Sequence, residues 1–238
     1  MLHYHGTPIS GGDATRVLRG RHALVPFAYP EQLPDVMAVA SSFVVDNSAF
    51  TTWKRGEAFD FVEYRKWCED IHTHPSFDWC LIPDVIDGDL DENIAHINDW
   101  DSSVLGVPVY HMHEPLEHLD WLIRGFRIVA IGSSGDWPTP GTVGWWSRMG
   151  EIIRVACNSN GRARCKLHGL RMLDPAIFSR LPLSSADSCN AGINAGSVKM
   201  FGSYVPVTAQ KRFAVIADRI EAHNSAERWE QPQMRIVP

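Results

Sequence analysis

The 238-residue sequence predicts an α/β protein, a single (β/α)8 barrel of the TIM type. Three observations carry that expectation. Short apolar runs alternate with amphipathic helical stretches along the whole chain, the rhythm of parallel strands joined by right-handed crossovers. Eight such units can be counted, the number of one barrel of this length. No linker, repeat or low-complexity segment divides the chain. The barrel is assigned to residues 1–223 and a polar, loose C-terminal tail to 224–238. The rival is an open doubly wound sheet, because the first and eighth strands are weak in propensity.

Taken in order, Leu2 to His5 alternates and stops at Gly6, a first short strand, and Gly11 to Arg19 reads as a helix begun by Asp13. His22 to Phe27 is the second strand, followed by a helix over Pro30 to Ala40 with Leu33, Val36, Met37 and Ala40 on one face. Ser42 to Asp46 is the third and is apolar on both faces, as a buried parallel strand should be. Phe59 to His72 is strongly amphipathic. Phe77 to Ile82, Val107 to Met112, Arg127 to Ile131 and Arg164 to Gly169 are the next four strands. Helices over Leu90–Trp100, Leu116–Arg124 and Gly144–Asn158 separate them. A turn at Pro175–Arg180, an eighth strand at Ser184–Ser188 and a helix over Val207–His223 complete the pattern.

Composition narrows the class. An apolar fraction of 45% and a charged fraction of 21% fit a globular protein. No apolar run is long enough to span a bilayer, and Met1 to His5 lacks a basic region leading into an apolar one, so no membrane partner and a cytoplasmic location are expected. The five cysteines show no C-x-x-C spacing, which reads as reduced thiols and no structural zinc. A net charge of −6 opposes broad adhesion to nucleic acid. A local basic cluster remains available in Arg148, Arg154, Arg162, Arg164, Lys166, Arg171 and Arg180.

The chemistry is expected around Ser184-Ser185-Ala186-Asp187-Ser188-Cys189-Asn190, where small neighbours leave one carboxylate reachable from a cavity. Asp is a poor strand former and ends a strand most often as a turn or cap. Two further carboxylates, Asp46 and Asp84, also end apolar runs. In a barrel such strand ends share one mouth. That mouth would also gather His3, His5, His111, His113, Gly132, Ser133 and His168. Carboxylates and imidazoles together suit acid/base or nucleophilic work, or a metal. His3-x-His5 with His111, His168 and Asp187 resembles the metal centre of amidohydrolases, although the sixth strand lacks that family's histidine. A catalytically inactive barrel that binds a nucleoside is a third alternative.

Three motifs in order favour another family. Asp46-Asn47-Ser48-Ala49-Phe50 resembles the Asp-Ser-Gly-Gly-Phe segment of tRNA-guanine transglycosylases. Ala130-Ile131-Gly132-Ser133-Ser134-Gly135 resembles its Gly-rich strand end, and Ala186-Asp187-Ser188-Cys189 its nucleophile segment. Pro83-Asp84 falls where the family has a second base-binding carboxylate, and Tyr110-His111 where it has a Gln after a Val. The resemblance covers about residues 40 to 200 and is nearest to the compact branch, coded by phages and mobile elements, that puts 7-deazaguanine bases into DNA. It implies a base-exchange enzyme without a cofactor, acting on DNA rather than tRNA, since the family's Cys/His zinc site is missing. The incoming base would be a 7-deazaguanine such as preQ0 or preQ1. Asp187 would attack C1′ and Asp46 would manage the proton. Asp84, Ser48, Phe50, Tyr110, His111, Gly132, Ser133 and His168 would bind the base, and Arg162, Arg164, Lys166 and Arg171 the phosphates.

Overall fold

The computed structural model describes residues 1–9, 14–86, 88–100 and 103–230, and within these every strand is parallel to its neighbours. The strands are β1 (Leu2–Gly6), β2 (His22–Pro26), β3 (Ser42–Asp46), β4 (Phe77–Leu81), β5 (Gly106–Val107), β6 (Val109–His111), β7 (Ile128–Gly132), β8 (Lys166–Gly169) and β9 (Ser185–Ser188). Their order in the sheet is β5-β4-β3-β2-β1-β9-β8-β7-β6. The two ends, β5 and β6, are successive pieces of one strand parted by Pro108, which has no N–H for the ladder. Ile82 N donates to Val107 O and Ala130 N to Pro108 O, both at 2.9 Å, so this strand is bonded on both sides and the sheet curls into a barrel. Eight expected strands thus become nine segments. The weak first and last strands pair from Leu2↔Ser185 to His5↔Ser188, which rules out an open sheet split at that point.

Helices surround the barrel. They are α1 (Ala14–Val17), α2 (Leu33–Val39), α3 (Ala49–Lys54), α4 (Phe61–Ile71), α5 (Leu90–Asn98), α6 (Leu116–Gly125), α7 (Val143–Ala156), α8 (Pro175–Phe178), α9 (Asn190–Asn194) and α10 (Ala209–Glu221). Asp60 caps α4 by accepting from Val62 N and Glu63 N, so that helix starts two residues later than its apolar pattern predicts. Asp89, Thr142 and Thr208 cap α5, α7 and α10 in the same way. The expected start of the first helix, at Gly11 and Asp13, lies outside the described residues. The short helices α3 and α9 were not foreseen; each directly follows a strand that carries a carboxylate into the mouth.

Strand alternation sorts the core into two layers. Outward side chains, among them Phe43, Val45, Cys80, Tyr110, Val129, Ile131 and Leu167, pack against helix residues such as Tyr64, Leu119, Trp145 and Ile216. Inward ones, Tyr4, Leu24, Val44, Trp79, Leu81, Val107, Val109 and Ala130, fill the barrel. Toward the N-terminal end of the strands, Asp78 Oδ2 accepts from Tyr4 OH at 2.6 Å and from the Ser42 hydroxyl, and His22 Nδ1 lies 2.8 Å from Ser42 Oγ.

The tail is not loose as far as it is described. Ala226 N donates to Leu181 O at 3.1 Å, Trp229 N donates to Gly161 O at 2.8 Å, and the Trp229 ring packs on the core. A polar composition hid one large apolar anchor.

Candidate active site

Because parity is fixed along a strand, only alternate residues of each strand end can face the mouth. β3 presents Asp46, β6 His111, β7 Gly132 and β9 Asp187, and together they line one cavity of about 570 Å³. The loop after β4 adds Asp84, the β3–α3 turn adds Ser48, and α3 adds Phe50. The stretch after β8 adds Leu170 and Arg171. Three carboxylates that share no sequence neighbourhood therefore meet in one space, as their strand-end positions predict.

Asp187 is 5% exposed. Its Oδ1 accepts from the Arg171 backbone N–H at 3.0 Å and lies 3.2 Å from His168 Nε2. His168 Nδ1 is in turn 2.8 Å from Ser185 Oγ. Among the described residues no donor reaches Oδ2, which leaves one carboxylate oxygen for a ligand. Arg171 reaches its position through a left-handed backbone, φ 57°, and its guanidinium lies 4.5 Å from the Phe50 ring centroid.

The Asp46 carboxyl is pushed up to about 7. Burial is the largest cause, and the Asp187 charge is the next; the Ser48 backbone N–H, Asp84 and Arg171 are smaller influences. Two carboxyls in one pocket with one held near neutrality form an acid–base pair. Cys189 is exposed at its surface, yet the surrounding protein and the Asp187 and Asp46 charges push its thiol up to about 11.

Asp84 is held at both oxygens. Oδ1 accepts from Asn47 Nδ2 at 2.8 Å, and Oδ2 lies 2.8 Å from His111 Nε2, an ion-pair contact rather than a well-aligned hydrogen bond. Asn47 also donates to Ile82 O at 3.0 Å and accepts from Ala49 N at 2.9 Å, tying β3, β4 and α3 together beneath the pocket. Burial alone would lower the His111 pKa; the adjacent Asp84 carboxylate and then Glu114 outweigh it and raise it.

Several expected site residues sit elsewhere. Tyr110, next to His111, points outward by parity and donates to Glu114 O at 2.8 Å, so it does not face a ligand. His168 is wholly buried and supports Asp187 from within the barrel without lining the cavity. Arg162, Arg164 and Lys166 precede or open β8, at the strand's N-terminal end, away from the mouth. Arg164 pairs there with Asp120 at 2.7 Å. Of the four basic residues assigned to phosphates, Arg171 alone lines the cavity. Arg148 is a structural pin, donating to Met112 O and Glu114 O, both at 2.7 Å.

His3 and His5 lie on the outer side of β1, with Tyr4 between them facing in. His5 is buried, with Nε2 2.8 Å from Glu221 Oε1, and His3 Nε2 is 3.1 Å from His223 O. The ligand set of the amidohydrolase alternative is therefore not assembled. Among the described residues no group of three or more His, Cys, Asp or Glu is arranged to hold a metal ion.

Ser48 and Ser133 line the cavity, but their hydroxyls are engaged, accepting from Ala28 N at 3.1 Å and from Trp145 Nε1 at 2.9 Å. Asn47 and Trp53 were missed. Trp53 lies three residues beyond Phe50 on α3, and the two half-exposed rings stand 5.8 Å apart at the rim. Helical spacing from Phe50 would have found it had α3 been foreseen. No helix among the described residues is long and apolar enough to cross a membrane. Comparison with models of known protein families, with curated proteins and with solved structures finds no match to this chain.

Proposed function

We propose that the chain exchanges guanine in DNA for a 7-deazaguanine base such as preQ0 or preQ1, through a covalent intermediate on Asp187. The observation that carries the reading is the unequal pair of carboxyls in one cavity. Asp187 has one oxygen anchored and one free, and its charge helps to hold Asp46 near neutrality.

In the first half-reaction the free Asp187 oxygen attacks C1′ of the nucleotide. The glycosidic bond breaks, its electron pair goes to the base nitrogen, and a glycosyl ester forms. In the second, the ring nitrogen of the incoming base attacks C1′ and loses its proton to Asp46 while the ester oxygen leaves as carboxylate. The target nucleotide must leave the stack to enter the cavity. Phe50 and Trp53 at the rim offer apolar faces, and Arg171 beside Phe50 offers a cation for a phosphate. DNA is favoured over tRNA because the cysteine pattern supplies no zinc-bearing grip of the kind tRNA enzymes use.

The test is incubation with a guanine-containing oligonucleotide and labelled 7-deazaguanine, followed by nucleoside mass analysis and by mass analysis of denatured protein. Label in the DNA together with an Asp187-linked adduct is expected. Neither label nor adduct, with folded protein and several DNA contexts, would dismiss the proposal.

A further inference from the structure

His111 is placed as a catalytic histidine is placed. Its Nε2 is buried 2.8 Å from Asp84 Oδ2, an ion-pair contact without an aligned hydrogen bond. Nδ1 is the ring nitrogen that opens on the cavity beside Gly132, where an added Cβ would lie 3.6 Å from it. Asp84 cannot readily serve the base itself, because Asn47 holds its other oxygen. A carboxylate 2.8 Å from one imidazole nitrogen stabilises the imidazolium, leaving the other nitrogen to exchange a proton with a ligand.

We propose that His111 Nδ1 is the proton donor to N7 of the departing guanine, with Asp84 as its positioning residue. This deepens the base-exchange reading and rests on it. N7 is a basic, outward-facing nitrogen of guanine. As Asp187 bonds to C1′ and the C1′–N9 pair passes to the base, the His111 proton moves to N7, so guanine leaves neutral and His111 is left neutral. Asp46 later takes the N9 proton of the incoming base, and solvent exchange resets both residues.

A 7-deazaguanine carries carbon at that position and cannot be protonated there, so its departure would have to use the Asp46 proton at N9, the reverse of its entry.

The charged and titratable surroundings of His111 are few. Asp84 touches Nε2, Glu114 Oε2 accepts the His111 backbone N–H at 2.9 Å, and His113 stacks on the ring with centroids 5.7 Å apart. His118 stands beyond Glu114, its Nε2 3.9 Å from Glu114 Oε2. The carboxylates favour the imidazolium and the two histidines oppose it.

The experiment compares release of guanine and of 7-methylguanine from oligonucleotides by wild type, His111→Ala and Asp84→Asn. A methyl group on N7 supplies the positive charge in advance, so no proton is needed. His111→Ala should lose guanine release by about 10²-fold or more. It should release 7-methylguanine at close to the wild-type rate. Asp84→Asn should show the same pattern more weakly, and the wild-type fall in guanine release at high pH should vanish in His111→Ala. Equal loss on both substrates would make His111 merely structural and overturn the proposal. Wild-type protein that releases neither base would refute the base-exchange reading itself, a result distinct from that one.

Discussion

Asp187 Oδ1 accepts the backbone N–H of Arg171 at 3.0 Å, and this bond joins the end of β9 to the loop after β8. The same residue that steadies the carboxylate by its main chain places its guanidinium over Phe50 at the rim. Main chain and side chain of Arg171 therefore serve different parts of the site, and substitution can separate them.

Asp187→Asn should abolish base exchange and adduct formation while the protein stays folded. The amide matches the carboxylate in size and can still accept from Arg171 N, so stability should change by no more than about 1–2 kcal/mol. Chemical denaturation beside the exchange assay checks both halves. Wild-type exchange by this variant would remove Asp187 from the mechanism.

Arg171→Gly should keep the Asp187 bond, since the N–H remains, and should relieve a left-handed backbone that costs a non-glycine residue about 1 kcal/mol. Stability should hold or rise slightly while affinity for oligonucleotides falls and its salt dependence flattens. Arg164→Ala and Lys166→Ala, at the far end of β8, should leave that affinity unchanged. Salt titrations of binding across the three variants give the comparison.

Asp46→Asn should stabilise the protein above neutral pH and not near pH 4. Burial and the Asp187 charge raise the Asp46 carboxyl to about 7 from an ordinary 3.8, so the fold favours the protonated form. The sign follows from linkage. Stability associated with this group is fully present below pH 4 and is lost as pH rises through 7. The full shift corresponds to at most about 4 kcal/mol at 1.36 kcal/mol per unit, and contact of the carboxyl with cavity water reduces the expected gain to about 1–2 kcal/mol. Melting curves at pH 4 and pH 8 distinguish this from a uniform effect. Exchange should be lost at both.

Tyr4→Phe should destabilise the barrel by about 1–3 kcal/mol without altering the site. It removes the 2.6 Å bond to Asp78 and leaves a partly buried carboxylate one donor short. Unchanged stability in urea would show that Ser42 alone satisfies Asp78.

The sequence by itself determined the barrel and the convergence of Asp46, Asp84 and Asp187, because both depend on local pattern. Apolar runs specify strands, amphipathic stretches specify crossovers, and a parallel barrel gathers the C-terminal ends of its strands at one mouth. It also held the parity rule that separates His111 from Tyr110 and Tyr4 from its flanking histidines, but not the origin of the count: which member of each pair faces inward was settled by packing of whole strands against helices. Tertiary structure alone decided the rest. It sent Arg162, Arg164 and Lys166 to the wrong end of β8, since residues close in sequence lie a strand's length apart when they flank its two ends. It placed Asp84 on His111, a contact across 27 positions of chain. It gave Asp187 its two supports and Asp46 its raised pKa, because burial and the field of a neighbouring charge belong to the assembled cavity and to no segment of the chain.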